Sequence, residues 1–593
     1  MSKSILQVKA PDITDTYVED EEFEKELEKI SLDAICNSNQ TKVIKEIRKC
    51  LANTLRRKYG FTNGKLKELT TKILKIHGLD ESNFDCIANF DKFVNSRLND
   101  VSIDDNSNKN EKSIRGIHQE VNSSNDKLIG YHLLYQVMKE LYGKPRAQLL
   151  AGDMYDYSIG LSDSSKIDVP YCWALDASKI VIEGRKFGQL PSAPAKRLDS
   201  YIAALNETVH QMSSHLAGAL AIGSMFLDSA HLLIFKERIP FEKVKEDKDT
   251  RKYIENQFQK FIHSVNHLSR NGVESPFTNI SVFDRPKLKF LIGKENYAWY
   301  FPNKDAVAKD NGLENKMTAE EWEKFVIEYI MEIQKIYLDF HNKGDPLQNG
   351  LPYRFPVCTL NFSRNSANEL EDKEYLKYAC SLDIKRFNIY NSNGGSKVAS
   401  CCRLINDAEL LDMASTVNTF GGSTISLGSH RVCSLNFSAY ALMANSREEF
   451  YRLLDDKIYE ALQILKAHKV LIAKLEKQGL EPFITRGYIR LDRLFSTIGI
   501  CGIVECAKFL CIKFPDICKD FEDEMDAFLT YLNDKSKDYA KELGIISNIE
   551  QIPGESYCVR LANVNKMIFA DENGDYYFDD GKEETEEVEI YDI

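Results

Sequence analysis

The chain of 593 residues has no C-x-x-C pair, no glycine-rich phosphate loop in its first 100 residues and no apolar run at its N-terminus. Each absence removes a class of function. Paired cysteines at zinc-ligand spacing are missing, so the common structural zinc modules are excluded. The opening segment MSKSILQVKAPDITDT lacks a signal-peptide core, which argues against secretion and for the cytoplasm. Positive charge is in deficit, with 77 Lys and Arg against 90 Asp and Glu and a net charge of −13. Such a chain lacks the basic footprint of a nucleic-acid binder. Nucleotides remain possible ligands, because a few amides and helix N-termini hold phosphates whatever the net charge. Long apolar runs are scarce. The two most apolar stretches are HLAGALAIGSMFL (215–227), too short to span a bilayer, and STIGICGIVECAKFLCIKF (496–514), interrupted by Glu505, Lys508 and Lys513. Neither is a membrane helix. Both read as buried helices.

What remains is ordinary for a soluble globular protein: 43% hydrophobic and 28% charged residues. A chain of this length buries a sizeable core without disulfide or metal staples. The 14 cysteines are scattered, which favours reduced thiols. Cys501, Cys506, Cys511 and Cys518 read as core residues of one helix. Residues 1–100 form a helical N-terminal region, with amphipathic runs such as TKVIKEIRKCLANTLRRKYG (41–60) closing on glycine. The polar stretch SIDDNSNKNEKS (102–113) reads as a loop into the next domain. Helical patterns then alternate with the short runs KFLIG (289–293), FPVCTLNF (355–362), RVCSLNF (431–437) and STIGICG (496–502). That alternation predicts an α/β body, residues 101–570, with a largely parallel sheet or barrel. Residues 571–593 carry eleven acidic groups against one lysine and read as a mobile acidic tail.

The densest chemistry lies in GGSKVASCCRLIND (394–407), where Cys401 and Cys402 follow a Gly-Gly turn and a β-like run. A hairpin or loop tip fits them. Neighbours in an extended segment point to opposite faces, so only one thiol faces a given cavity. Two ordinary loop thiols would give the same pattern. Downstream, FGGSTISLGSHRVCSLNFSAY (420–440) brings small residues before an apolar strand, as where backbone lies close to a ligand. Upstream, Cys172 stands alone in DVPYCWALD.

Taken in order, ten segments resemble one family. They are AGDMYDYSIGLSD (151–163), VPYCWALD (169–176), PSAPAKRLDSYIAALNETV (191–209), AGALAIGSMFLDS (217–229) and SVNHLSRNGVESPFTNISVFD (264–284). FPVCTLNFSRN (355–365), SCCRLIND (400–407), GSHRVCSLNFSAY (428–440), STIGICGIVE (496–505) and NIEQIPGESYCVRLANVNK (548–566) complete the series. Together they resemble the large subunit of anaerobic (class III, glycyl-radical) ribonucleoside-triphosphate reductase. The resemblance implies a ten-stranded α/β barrel with a finger loop through its centre, and reduction of ribonucleoside triphosphates to 2′-deoxyribonucleoside triphosphates. By motif position it makes Cys402 the thiyl-radical cysteine and Cys172 the second reactive cysteine. Asn436 would hydrogen-bond the ribose hydroxyls. Ser192, Asn279 and the segment Gly554, Glu555 and Ser556 would bind substrate, the last three as a phosphate cradle at a helix start. A plain helix N-cap at Ser556 is the alternative. Leu404 stands where aerobic relatives carry a glutamate, which fits the anaerobic class. The small-residue run 217–224 implies a homodimer interface beside the site for dNTP and ATP effectors, although close packing within one subunit would explain it equally.

Two features depart from the family. Its His-Asp pair near the first strand is Tyr155-Asp156 here. Its C-terminal module, with a four-cysteine zinc site and an Arg-x-x-Gly-Tyr-like radical loop, has no counterpart before Ile593; ITRGYIR (484–490) lies in the wrong place. No cofactor is therefore expected in this chain. The glycyl radical, generated by an iron–sulfur S-adenosylmethionine activase, and the zinc are expected on a C-terminal domain supplied in trans or belonging to a longer enzyme. A nucleotide-binding relative without catalysis, another glycyl-radical lyase of the same barrel type, and an adaptor protein with a recruiting tail are the competing readings. Formate and a redoxin are both open as reductant, with CCRL closer to the redoxin-using branch.

Overall fold

The computed structural model describes residues 39–79, 84–95, 114–187, 191–269, 274–292, 304–312, 318–395, 397–399, 405–407, 427–514, 521–551 and 555–570. The expected α/β architecture is present. Eleven strands are described: β1 (Ile159–Leu161), β2 (Cys172–Leu175), β3 (Leu220–Ile222), β4 (Thr278–Phe283), β5 (Val357–Arg364), β6 (Asn388–Asn393), β7 (Lys397–Ala399), β8 (Ile405–Asp407), β9 (Gly428–Asn436), β10 (Leu494–Cys501) and β11 (Ser547–Gln551). Nine of them form one curled sheet in the order β11-β10-β9-β2-β3-β4-β5-β6, with β1 on β9; ten were expected. The sheet has two parallel halves. β2 to β6 run together and β9 to β11 run together, and the halves meet antiparallel where Cys172 pairs with Ser429.

The connecting helices that matter here are α1 (Asn39–Tyr59), α2 (Asn63–Ile76), α3 (Ile114–Tyr142), α4 (Lys144–Tyr155), α5 (Leu198–Ser213), α6 (Met225–His231), α7 (Lys248–Val265), α8 (Arg285–Ile292), α9 (Ala319–Lys343), α10 (Phe437–Met443), α11 (Arg447–Lys477), α12 (Ile503–Lys513), α13 (Phe521–Leu543) and α14 (Glu555–Phe569). α1 is the predicted amphipathic run. It ends in Arg56, Arg57 and Lys58, which suit the negative end of a helix, and stops at Gly60 with φ +64°. It seats Leu51 and Leu55 in a core shared with α4. The approach is close: a Cβ on Gly152 would stand 1.9 Å from Thr54 Oγ1 and 2.9 Å from the Cys50 carbonyl. α9 opens on a capping box between Thr318 and Glu321.

Three expectations change. KFLIG closes α8 instead of forming a strand, because Leu288, Leu291 and Ile292 bury one face at three-to-four spacing after Pro286 in the first turn. The run 215–227 is not one helix: it holds β3, buried on both faces, and then the start of α6. The run 496–514 likewise splits into β10 and α12, so Cys501 ends a strand. A central parallel strand and a buried helix are equally apolar over a few residues, and periodicity cannot separate them. Cys511 is disulfide-bonded, an exception to the expectation of reduced thiols. The stretch 102–113 and the tail 571–593 lie outside the described residues.

Candidate active site

Strand alternation gives the five-strand half two unlike faces. Leu220, Ile222, Ile280, Val282, Leu360 and Phe362 point one way and share a core with Phe226 of α6, Phe258 of α7 and Tyr337 of α9. The register places Ala174, Ala221 and Asn279 in one row across β2, β3 and β4 on the opposite face, with Cys172 two residues before Ala174. Ser281, Thr359 and Asn361 continue this face across β4 and β5. It carries polar side chains, with the two small alanines between Cys172 and Asn279. Those residues stand about 12 Å apart by strand spacing and rise.

Asn279 is the least satisfied polar side chain of this face. It is 1% exposed, yet neither its Nδ2 nor its Oδ1 has a hydrogen-bond partner. A buried polar group left without partners costs about 1–3 kcal/mol. An amide with both a donor and an acceptor free has the chemistry to take a hydroxyl-rich ligand. Cys172 is buried on the same face, at the seam of the two sheet halves.

The finger's base is also in place. β7 and β8 pair antiparallel from Lys397↔Asp407 to Ala399↔Ile405. Cys401, Cys402 and Leu404, between these two strands in sequence, lie outside the described residues. The Gly-Gly turn before β7 has a steric reason. Gly394 has φ +68°, and a Cβ on Gly395 would stand 2.5 Å from the Pro286 carbonyl at the start of α8.

Asn436 is not brought to Cys172. It ends β9, seven residues and one bulge beyond Ser429, about 20 Å along the strand. Its amide is fully used. Nδ2 donates to the Tyr157 carbonyl at 3.2 Å and to Asn565 Oδ1 at 2.9 Å. Oδ1 accepts from the Ala439 N–H at 3.1 Å, the Ser438 hydroxyl at 3.0 Å and Asn565 Nδ2 at 3.2 Å. Asn436 therefore caps α10 and ties it to α14 through a reciprocal amide pair. The signal was in the sequence, as Asn at a strand end before a helix-forming run marks an N-cap. Asn565 carried no such signal.

Ser192 exchanges backbone hydrogen bonds with Arg185 at 3.0 and 3.1 Å, an isolated antiparallel bridge. Gly184, at φ +77°, packs so near that a Cβ would stand 2.1 Å from the Ser192 carbonyl. Gly554 lies outside the described residues. Glu555 and Ser556 open the 15-residue α14, so Ser556 is inside the first turn and not the residue before it. The free amides of that turn point toward whatever precedes the helix. The altered Tyr155-Asp156 pair is structural: Lys58 Nζ donates to Asp156 at 2.8 Å, and the Tyr155 carbonyl bonds His77 at 2.7 Å. Burial drives the His77 imidazole down to about 3, so it is neutral there.

The family model for anaerobic ribonucleoside-triphosphate reductase matches residues 105–586. The chain belongs to that family. No curated protein shows significant sequence similarity to it. Among solved structures, the anaerobic ribonucleotide reductase of Thermotoga maritima with dATP and CTP superposes with a TM-score of 0.67 at 23% identity, covering 86% of this chain and 78% of that one. The same enzyme with dATP in its specificity site gives 0.67 at 22% identity, over 88% and 80%. A further anaerobic ribonucleotide reductase gives 0.68 at 22%, over 85% and 75%. This reductase is thus an oxidoreductase of the nucleotide-reducing type, with the family's barrel fold. Among the described residues no helix is long and apolar enough to cross a membrane, and no three His, Cys, Asp or Glu residues stand together as metal ligands.

Proposed function

We propose that residues 101–570 form the catalytic barrel of an anaerobic ribonucleoside-triphosphate reductase, with the chemistry run by Cys402. The observation that carries this reading is the unsatisfied Asn279 amide on the same sheet face as Cys172, in the half that holds β7 and β8. The substrate ribose would lie over that face and take its hydrogen bonds from Asn279. Cys402, as a thiyl, would abstract the 3′-hydrogen. The 2′-hydroxyl then leaves as water, two electrons and a proton enter, and Cys402 returns the hydrogen to C3′. The net change is one ribonucleotide, two electrons and two protons to one deoxyribonucleotide and water.

Cys172 would supply one of the two reducing thiols, with a redoxin as the outside donor. Cys401 is a poor partner for it, since its side chain starts on the opposite face from Cys402. The first turn of α14 with Gly554 would hold the substrate phosphates, and Ser192 would line the substrate site. Asn436 would act on substrate only through the position of α14. A glycyl-radical domain with its zinc site, and the iron–sulfur S-adenosylmethionine activase that charges it, would complete the enzyme. dNTP and ATP effectors would act at a homodimer interface; the run 217–224, which holds β3, is itself packed within one subunit and would not form that surface.

The test is a complex reconstituted from this chain, a glycyl-radical domain and the activase. Cys402→Ser should abolish deoxynucleotide formation while dNTP binding stays intact, because a serine O–H is too strong to hold the radical. Equal turnover in the variant would refute the assignment.

A further inference from the structure

Two cysteines that the proposed reduction does not use stand together at the far end of β10. Cys501 ends that strand, in register with Asn436 of β9. Cys558 lies in the first turns of α14, and its Sγ is 3.3 Å from that of Cys501. They are 57 residues apart in sequence, so the contact comes from the fold. The two thiols are unlike. Cys501 is buried at 7% exposure, while Cys558 is partly open to solvent. We propose that Cys501 and Cys558 form a thiol–disulfide exchange site that reacts with low-molecular-weight or redoxin disulfides, with Cys558 as the attacking thiol and Cys501 as the resolving one.

The environment supports those roles. The hydrogen bond from Cys501 favours the thiolate of Cys558 and holds its thiol below the ordinary range. The same hydrogen bond, with burial, keeps the Cys501 proton in place. An accessible thiol with thiolate character beside a buried partner is the arrangement that exchange requires. The other buried cysteines contrast with it. Cys358 and Cys433 have their thiols pushed far up by burial alone and offer no second sulfur.

The chemistry balances. The Cys558 thiolate attacks one sulfur of the incoming disulfide and expels one thiol. Cys501 then attacks the Cys558 sulfur of the mixed disulfide and expels the second. Two protein thiols and one external disulfide become one protein disulfide and two external thiols. The reverse reaction delivers two electrons. Closure would tie the end of β10 to the first turns of α14.

The reading does not depend on reductase activity, and the test uses the full chain alone. Reduced protein is equilibrated anaerobically in glutathione buffers from fully reduced to fully oxidised, free thiols are alkylated, and each cysteine is read by peptide mass spectrometry. A Cys501–Cys558 disulfide should form while Cys358 and Cys433 stay alkylated or buried. Cys501→Ser should stop the reaction at a glutathione adduct on Cys558, and brief alkylation should label Cys558 about tenfold faster than Cys501. Free thiols at both positions across the whole range would overturn the proposal. So would a glutathione adduct on wild-type Cys558 that never resolves. Neither outcome bears on Cys402, so failure here leaves the proposed reduction standing.

Discussion

The two halves of the sheet treat buried polarity in opposite ways. Around β9–β11 and the N-terminal helices, the charges of AGDMYD are matched within the protein. Asp153 lies between Lys58 at 2.7 Å and Lys457 at 2.6 Å, and Lys457 also reaches Glu460 at 2.6 Å. Arg431, wholly buried, donates to the carbonyls of Ser162, Lys166 and Val169. Asn436 uses both amide atoms. In the five-strand half, Asn279 uses neither. Asp228, buried behind β3, has no cation beside it; it takes the Tyr201 hydroxyl at 2.9 Å and stays close to neutral. Equal burial with unequal satisfaction separates a scaffold from a surface shaped for a ligand.

Removing one partner from the matched half should produce the largest effect. Lys457→Met leaves Asp153 and Glu460 facing each other with one cation fewer, and breaking a buried network in this way costs about 3–5 kcal/mol. Urea denaturation of wild type and variant measures it. A loss under about 1 kcal/mol would mean that the network is solvated and the comparison is wrong. Asn436→Ala comes next. It strips the cap of α10 and leaves Asn565 Oδ1 without the Asn436 donor, although Asn565 Nδ2 keeps the Ser438 hydroxyl at 3.1 Å. The expected loss is about 2–3 kcal/mol. Nucleotide affinity of the folded protein should be unchanged. Weaker ribonucleotide binding at undiminished stability would instead return Asn436 to the ribose.

These two residues also show where the sequence was legible. The α/β alternation, the amphipathic α1 and the finger hairpin could be read because each rests on local pattern: period, turn glycines, flanking β-branched residues. The identity of β3 could not, since three buried residues in a parallel sheet carry no period. KFLIG failed for the same reason. Of the residues singled out by family order, Cys172 and Asn279 share a face of the sheet. The resemblance could not show that Asn436 lies about 20 Å along β9 from the Cys172 pairing, because a motif has no register. Cys501 and Cys558, 57 residues apart, meet only through the pairing of β10 with α14.

A pH-dependent effect tests how Asp228 is kept without a cation. Burial, with the nearby Asp176 carboxylate, pushes its carboxyl up to about 7, against about 3.9 in an unfolded chain. Between those values the folded state holds a proton that the unfolded state has released. Stability from this group is therefore full below about pH 4 and is lost as pH rises through 7. Asp228→Asn keeps an acceptor for Tyr201 and removes the titration. If it matches wild type at pH 4, the variant should be more stable than wild type at pH 8 by up to about 4 kcal/mol. Parallel stability curves over that range would show that Asp228 is ionised in the fold.

The smallest change in the unliganded protein is expected at Asn279, the residue proposed to hold the ribose. Asn279→Ala removes two buried polar atoms that have no partners, so the variant should unfold within about 1 kcal/mol of wild type, on either side. With a ribonucleoside triphosphate present the two should part. A ligand at a hundred times its dissociation constant raises wild-type stability by about 2.7 kcal/mol. Losing hydrogen bonds from one amide should weaken binding about tenfold and remove about 1.4 kcal/mol of that gain. CTP titrations followed by thermal unfolding give both numbers from one set of samples. If Asn279→Ala is strongly destabilised without CTP and keeps the full CTP shift, the amide belongs to the scaffold, and the polar face of the five-strand half is not where the ribose sits.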